Sequence, residues 1–147
     1  MRKSTRFPAA VHILTMLAAI EDEYLSSDVI ARSMNTNRVV VRRLIASLAE
    51  AGFVSSQAGV FGGAHLDVDP ASITLLDVYR AVEEEGLFRF HAPHPGCRVA
   101  EHVLADLQPA VDKAEAAFEQ QLAATTLQDV AGRGIRTMKQ YIRQGKV

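Results

Sequence analysis

The chain has 147 residues, of which 48% are apolar and 22% charged, so it can bury a core and is not an intrinsically disordered protein. It has no apolar run of about 18 residues and no secretory cleavage pattern, which predicts a cytoplasmic protein without a membrane span. Basic and acidic residues number seven and five in residues 1–66, four and twelve in 67–132, and five and none in 133–147. A nucleic-acid binder needs a local basic face rather than a basic total, so the net charge of −1 does not exclude one.

Three helices are predicted in the first third of the chain. Residues 7–22 are apolar on most faces, which is typical of a helix buried in the middle of a domain. A short helix follows a cap within residues 25–28, and the turn at 35–37 caps a third helix over about 37–51. The third helix has a buried stripe at the i, i+3, i+4, i+7 positions Val41, Leu44, Ile45 and Leu48.

After Gly52, which caps the third helix, the hydrophobic period changes to two. Residues 53–57 and 64–68 predict two strands, and the glycine-rich segment between them predicts a β-hairpin. Thr74 and Asp77 have the spacing of a capping box and open a fourth helix.

A loop rich in His, Pro and Gly precedes a long helix, which Pro109 should kink or divide. A last helix covers about 126–144, with Gly132 and Gly134 as weak points. Apolar residues three and four apart on the long helix form a narrow seam suited to a partner helix: Val99, Val103, Leu107, Val111, Ala114, Phe118 and Leu122. Within this seam, Val103, Leu107, Val111 and Phe118 are the expected dimer contacts.

The order helix, short helix, turn, helix and hairpin is that of a winged helix-turn-helix. We therefore expect a mainly α protein with a small β-hairpin. A winged helix-turn-helix DNA-binding domain would cover 1–84 and a sensor loop 85–97. Residues 98–147 would form a dimerisation helix and a C-terminal helical tail.

Double-stranded DNA is the expected partner, because the outer face of the third helix carries cations. Arginine pairs with a guanine edge or clamps phosphate, valine can contact a thymine methyl, and a helix N-terminus can bind phosphate. Glycines in the hairpin let backbones approach closely. The candidate DNA contacts are Ser4, Thr5, Arg6, Thr36, Asn37, Arg38, Val39, Val40, Arg42, Arg43, Gly62, Gly63 and His65.

Five stretches along the sequence resemble the Rrf/IscR-type winged-helix transcription regulators of bacteria. The double-glycine wing followed by Thr-Leu-Leu-Asp is the most distinctive part, and the resemblance covers essentially the whole chain. The resemblance implies a homodimer, formed by the long helix, that binds a palindromic operator. The matching stretches are Lys3–Arg6, Asn37–Leu44, Leu48–Val54, Gly59–Gly63 and Ile73–Val78, and a cysteine near the start of the long helix also fits.

Two features depart from that family pattern. Members with an iron–sulfur cluster have three cysteines in the loop before the long helix, whereas this chain has Cys97 alone, so we expect no cluster and no other cofactor. The wing also lacks the basic residue that many members carry before its glycines. His91, His94, Cys97 and His102 have spacings that could hold zinc, but the prolines between them favour an extended loop, and no metal site is assigned.

Cys97 allows two interpretations. A helix N-terminus and the neighbouring Arg98 favour a reactive thiolate, which would make the loop a redox sensor, whereas most lone cysteines are inert. The predicted function is a homodimeric transcription regulator, acting as a repressor and responsive to redox or a ligand through this loop. The alternative is a winged-helix adaptor for protein contact. An enzyme is not expected, because no group orients Cys97 towards a histidine and no cofactor motif is present.

Overall fold

A computed structural model describes residues 4–20, 22–84 and 86–146. Lys3 of the N-terminal motif, Glu21 near the end of the first predicted helix and Glu85 in the predicted loop lie outside this part. The predicted mainly α fold with a small β-hairpin is confirmed. The elements are α1 (Arg6–Ala18), α2 (Ser27–Ser33), α3 (Arg38–Glu50), β1 (Val54–Gln57), β2 (Gly63–Leu66), α4 (Leu75–Val82), α5 (Arg98–Ala123) and α6 (Leu127–Arg143).

The core is built around α1, which packs against α3, α4 and α6. The predicted buried stripe of α3 is confirmed, since all four of its residues are buried. α1 ends earlier than its apolar pattern predicts, because the N–H groups of Ala19 and Ile20 donate to Met16 and Leu17 in tighter i→i+3 bonds. The buried residues of α1 are Ala10, Ile13, Leu14, Met16 and Leu17.

Side-chain caps fix the helix-turn-helix. The Ser26 hydroxyl accepts from the Val29 N–H at 3.3 Å and opens α2. Asn35 has a φ of 48°, the left-handed conformation that a turn between two helices uses and that asparagine tolerates. Asn37 Oδ1 accepts from the Val39 N–H at 2.7 Å and opens α3, as predicted.

The wing is the antiparallel pair β1–β2, which runs from Val54 opposite Leu66 to Gln57 opposite Gly63. Leu25 forms a one-residue antiparallel bridge with Ala64 on the other edge of β2. Its N–H donates to the Ala64 carbonyl and its carbonyl accepts from the Ala64 N–H, both at 2.9 Å. The segment before α2 therefore holds the start of β2, next to the wing tip.

The C-terminal helix α6 packs in the same core as α1, although the predicted boundaries grouped it with the dimerisation helix. Leu127, Ala131 and Ile135 are buried there. Capping boxes open both α4 and α6, and their N-cap residues Thr74 and Thr126 form an antiparallel bridge. Two hydrogen bonds from Thr126 lower the pKa of Asp129 in the second box. The paired helix starts anchor α6 to the N-terminal domain.

The long helix α5 is one continuous helix of 26 residues. Pro109 lies inside it and does not divide it. None of its residues is buried, and its packing partner is α4. No helix in the described part of the chain is long and apolar enough to cross a membrane.

Candidate nucleic-acid interface

The outer face of α3 is open to solvent, as its helical phase predicts. Val39, Val40, Arg42 and Arg43 are all exposed, opposite the buried stripe. Arg38 is exposed at the first turn of the same helix. The scaffold therefore presents three cations and two small apolar side chains on one rigid helix, which is the arrangement that a recognition helix needs.

Two of the three arginines contact α2 of their own chain. Arg38 Nη1 lies 3.3 Å from Asp28 Oδ1, and Arg42 Nε donates to Ser27 Oγ at 3.3 Å. The first pair is more than half exposed, so it is weakly held and can exchange for a phosphate. The Arg43 guanidinium has no hydrogen bond or ion pair to any described residue. Arg43 is thus the arginine most available to a base edge.

Thr36 and Asn37 lie at the start of α3 and are exposed. The Asn37 side-chain oxygen is engaged by the helix cap, so its amide NH₂ group is the part that can reach a ligand. The Thr36 N–H donates to the Ala31 carbonyl at 3.0 Å, which fixes the turn.

At the start of α1, a carboxylate of the protein occupies the position where phosphate was expected. Glu83 Oε1, just after α4, accepts from the Ser4 hydroxyl at 2.6 Å and from the Phe7 N–H at 3.0 Å. A helix N-terminus favours any anion, and here the chain supplies one. Thr5 and Arg6 remain exposed beside it. Sequence reasoning missed this contact because 76 residues separate Phe7 from Glu83.

The wing glycines are required by backbone contacts within the chain. A Cβ at Gly62 would overlap the Gln57 carbonyl, and a Cβ at Gly63 would overlap the Leu25 carbonyl. His65 is half-buried: its Nδ1 lies 3.2 Å from the Glu23 carbonyl, and its ring packs near Tyr24. All three residues position the wing, and their expected DNA contacts stay predictions.

A groove of about 610 Å³ separates α3 from the wing. Arg42, Ile45 and Ala46 of α3 line one side, and wing residues 56–60 line the other. The wing tip beyond it carries Val60 and Phe61, two apolar side chains that the sequence analysis did not select. The sequence signal was present, since turn tips are rarely built from large apolar residues.

The structure does not bring the predicted sensor residues together into a cluster of candidate metal ligands. Among the described residues, no group of three or more His, Cys, Asp or Glu side chains lies close enough to hold a metal ion. Cys97 is a free thiol of intermediate exposure at the N-cap of α5, where its side chain makes no capping hydrogen bond. One thiolate per chain does not fit the donor set of an iron–sulfur cluster, which takes mostly cysteine ligands.

The predicted dimer seam divides into two halves. At the start of α5, Val99, Val103 and Leu107 are 73%, 53% and 44% exposed. Further along, Val111 is partly buried, and the Phe118 ring packs edge-on against Tyr79 of its own chain at 5.1 Å. Spacing alone predicted one apolar stripe, and the fold covers only its second half with α4.

Tyr79 is the centre of the contact that joins α1 and α4 to α5. Its ring lies 5.6 Å from Phe7 on α1 as well as against Phe118 on α5. Burial, followed by the nearby carboxylates of Glu83, Glu115 and Glu119, raises its pKa. Arg80 adds an ion pair to Glu119 at 2.9 Å. The orientation of α5 is therefore fixed relative to the domain.

The sequence is similar to known transcriptional regulators. A family model described as Rrf2, iron-dependent transcriptional regulator, matches residues 3–133. YwnA of Bacillus subtilis, described as an HTH-type transcriptional regulator, is 44% identical over 129 residues, which is 86% of this chain and 95% of YwnA.

Two solved structures extend the comparison to the fold. IscR of T. potens superimposes with a TM-score of 0.64 at 26% identity, covering 91% of this chain and 88% of IscR. CymR, the global cysteine regulator of B. subtilis, has a TM-score of 0.59 at 25% identity, covering 90% of this chain and 98% of CymR.

Proposed function

The chain belongs to the Rrf2 family of transcriptional regulators, and on this premise we propose that it acts as a homodimer that binds a palindromic operator. Family membership makes the chain a DNA-binding regulator rather than an enzyme, as the sequence predicted. The observation that carries the finer proposal is the outer face of α3. It presents Arg38, Arg42 and Arg43 on a helix whose opposite face is fully buried.

The DNA contacts divide by chemistry. Arg43, which has no described partner, reads a base edge, and Val39 and Val40 contact thymine methyl groups. Arg38 and Arg42 bind phosphate after exchanging their contacts with α2. At α1, the Glu83 carboxylate already uses the Ser4 hydroxyl, so Thr5 and Arg6 are the groups left to reach the backbone of the DNA.

The exposed start of α5 supports a dimer. Val99, Val103 and Leu107 form an apolar strip on a helix segment that buries none of its residues within its own chain. A second copy of the same strip would cover it, and burying a Val or Leu side chain contributes about 1.5–3 kcal/mol. A two-fold dimer brings two recognition helices to successive half-sites, which is why the operator should be a palindrome.

The regulator works without an iron–sulfur cluster and acts as a repressor by occupying its operator. The ligand count supports the first part, since even two chains together offer only two thiolates. Anaerobically purified protein should contain no stoichiometric iron or sulfide. A promoter–reporter fusion carrying the operator should be more active when the gene for this chain is deleted. Stoichiometric iron would contradict the absence of a cluster. Lower reporter activity after the gene is deleted would contradict the repressor role.

The loop around Cys97 is the proposed sensor. Cys97 is the N-cap residue of α5 and is partly accessible to solvent. Peroxide would oxidise it to a sulfenic acid or an intersubunit disulfide, next to the helix that forms the dimer. Peroxide should therefore change the DNA affinity of the wild type and not that of Cys97→Ser. Identical responses of the two proteins would show that Cys97 is inert.

Selection from a random-sequence DNA library tests the proposed function. The wild-type protein should enrich inverted repeats, and its affinity for the enriched duplex should fall steeply with salt as released counterions predict. A shuffled duplex of the same composition is the control. Equal, weak binding to both duplexes would contradict the proposal and favour the adaptor role.

A further inference from the structure

The tip of the wing presents two large apolar side chains to solvent. Val60 is 94% and Phe61 92% exposed, and these are the two highest values among the exposed large hydrophobic residues of the described chain. They are the central residues of a tight turn, closed by the Gly62 N–H donating to the Gly59 carbonyl at 3.1 Å. Neither side chain gains free energy from burial in the folded chain.

Turn chemistry does not explain them either. Positions of this kind favour Gly, Pro, Asn, Asp and Ser, whose conformations or side chains suit a turn. The two glycines that flank the pair already meet the demands of the backbone. Gly59 has a φ of 106°, and Gly62 has no room for a Cβ against the Gln57 carbonyl. The side chains of Val60 and Phe61 are therefore free to serve a function outside the fold.

Backbone contacts with the segment before α2 hold the wing in place. The Leu25–Ala64 bridge ties the start of β2, next to the tip, to the segment before α2, and Gly63 lies against the Leu25 backbone. The groove between the wing and α3 is lined by Val60 and by Arg42, so the tip and the recognition helix border the same surface. DNA that receives α3 in its major groove passes next to this tip.

The wing lacks the positively charged side chains that usually contact phosphate. Residues 54–66 contain no Lys or Arg, and the His65 ring contacts the Glu23 carbonyl of its own chain. Proteins that contact the minor groove with apolar residues insert them between base pairs, partly unstacking one step and bending the duplex. An exposed Phe with an adjacent Val on a rigid turn has the chemistry of such a wedge.

We propose that Phe61, with Val60 beside it, is an apolar wedge that enters the minor groove flanking each half-site and unstacks one base step. This inference rests on the proposed DNA-binding function. It assigns the wing a role in indirect readout, because pyrimidine–purine steps unstack at the lowest cost. Operators with such a step under the wing should therefore be favoured, although no wing side chain reads a base edge.

Three variants test the wedge on a duplex selected by the wild-type protein. Phe61→Ala removes the ring and Phe61→Leu keeps an apolar wedge. Phe88→Ala is the control, because it removes another exposed ring, 62% exposed, from the loop after α4. We expect Phe61→Ala to weaken binding by about tenfold, the scale of one lost aromatic–base contact. Phe61→Leu should recover part of that loss, and Phe88→Ala should bind like the wild type.

The salt dependence separates a wedge from a charge effect. Phe61→Ala should lose the same factor at every salt concentration, because no phosphate contact and no counterion is involved. A 2-aminopurine base placed at successive flanking positions should brighten at one step with the wild type and not with Phe61→Ala.

If Phe61→Ala binds the selected duplex as tightly as the wild type does, and binding stays selective and salt-dependent, the wedge is overturned. The proposed function would still stand. Loss of self-association in Phe61→Ala, with unchanged affinity per dimer, would also overturn the wedge, because the tip would then be a protein contact. Failure of the wild type to select any duplex would instead contradict the proposed function.

Discussion

Arg43 shows how the fold distributes roles among residues of one type. Arg38 and Arg42 contact Asp28 and Ser27 of α2, whereas the Arg43 guanidinium has no partner in the described chain. An arginine that is paired within its own chain can exchange that partner for a phosphate. Bidentate recognition of a guanine requires a guanidinium that is free and correctly placed. The fold therefore engages Arg38 and Arg42 and leaves Arg43 free, a difference that their spacing alone does not reveal.

Replacing Arg43 with Ala should reduce discrimination between the selected duplex and single-base variants of it by about 1–3 kcal/mol. The loss should be confined to the base pair that Arg43 contacts. Arg89→Ala, which removes an exposed arginine from the loop after α4, is the matched control. Fluorescence anisotropy at fixed salt measures both proteins. If Arg43→Ala discriminates between the selected duplex and its single-base variants as well as the wild type does, Arg43 does not contact a base.

At the scale of elements, local patterns predicted the helices and the hairpin well. The stripe of α3, the Asn37 cap and the Thr74–Asp77 capping box are all short-range signals, and all are present in the structure. The contacts that sequence reasoning missed join distant segments. Glu83 at the start of α1 and the packing of α6 against α1 depend on tertiary arrangement, which periodicity does not encode.

The two glycines of α6 also differ in their tertiary contacts, which the sequence pattern does not reveal. Replacing each of them with Ala gives a matched test of the packing of α6. Gly132 faces only flexible side chains, so Gly132→Ala should stabilise the protein by about 0.5–1 kcal/mol through helix propensity. A Cβ at Gly134 would lie 2.9 Å from Thr15 Cγ2, and the Thr15 hydroxyl is held by the Val11 carbonyl at 2.7 Å. Gly134→Ala should therefore give no such gain.

Urea unfolding at one protein concentration compares the two variants. Equal stabilisation by both substitutions would mean that α6 does not pack on α1 as closely as described. The apolar pattern marked both glycines as weak points of a helix, but only the packing against Thr15 distinguishes them.

At the scale of the whole molecule, α5 is the helix through which we propose that the chain dimerises. Its second half is held against α4 by Phe118 and Tyr79, while its first half extends with Val99, Val103 and Leu107 exposed. The sequence predicted a dimer seam along the whole helix, including Phe118. Which half is covered by the chain itself could not be predicted, because an apolar stripe does not specify its partner.

Changing Val103 and Leu107 together to Asp should give a monomer that binds the selected duplex much more weakly, because each half-site contributes too little alone. These residues are exposed, so the fold of the single chain should survive. Val130→Asp on α6, also half exposed, is the control and should remain a dimer. A double variant that still sediments as a dimer would place the interface elsewhere.

Sedimentation velocity of the wild-type protein on its selected duplex tests the central claim most directly, since it counts the chains on one operator. The account predicts two chains on each inverted repeat, and a marked loss of affinity when one half-site is scrambled. A single chain bound with full affinity to one half-site would contradict it.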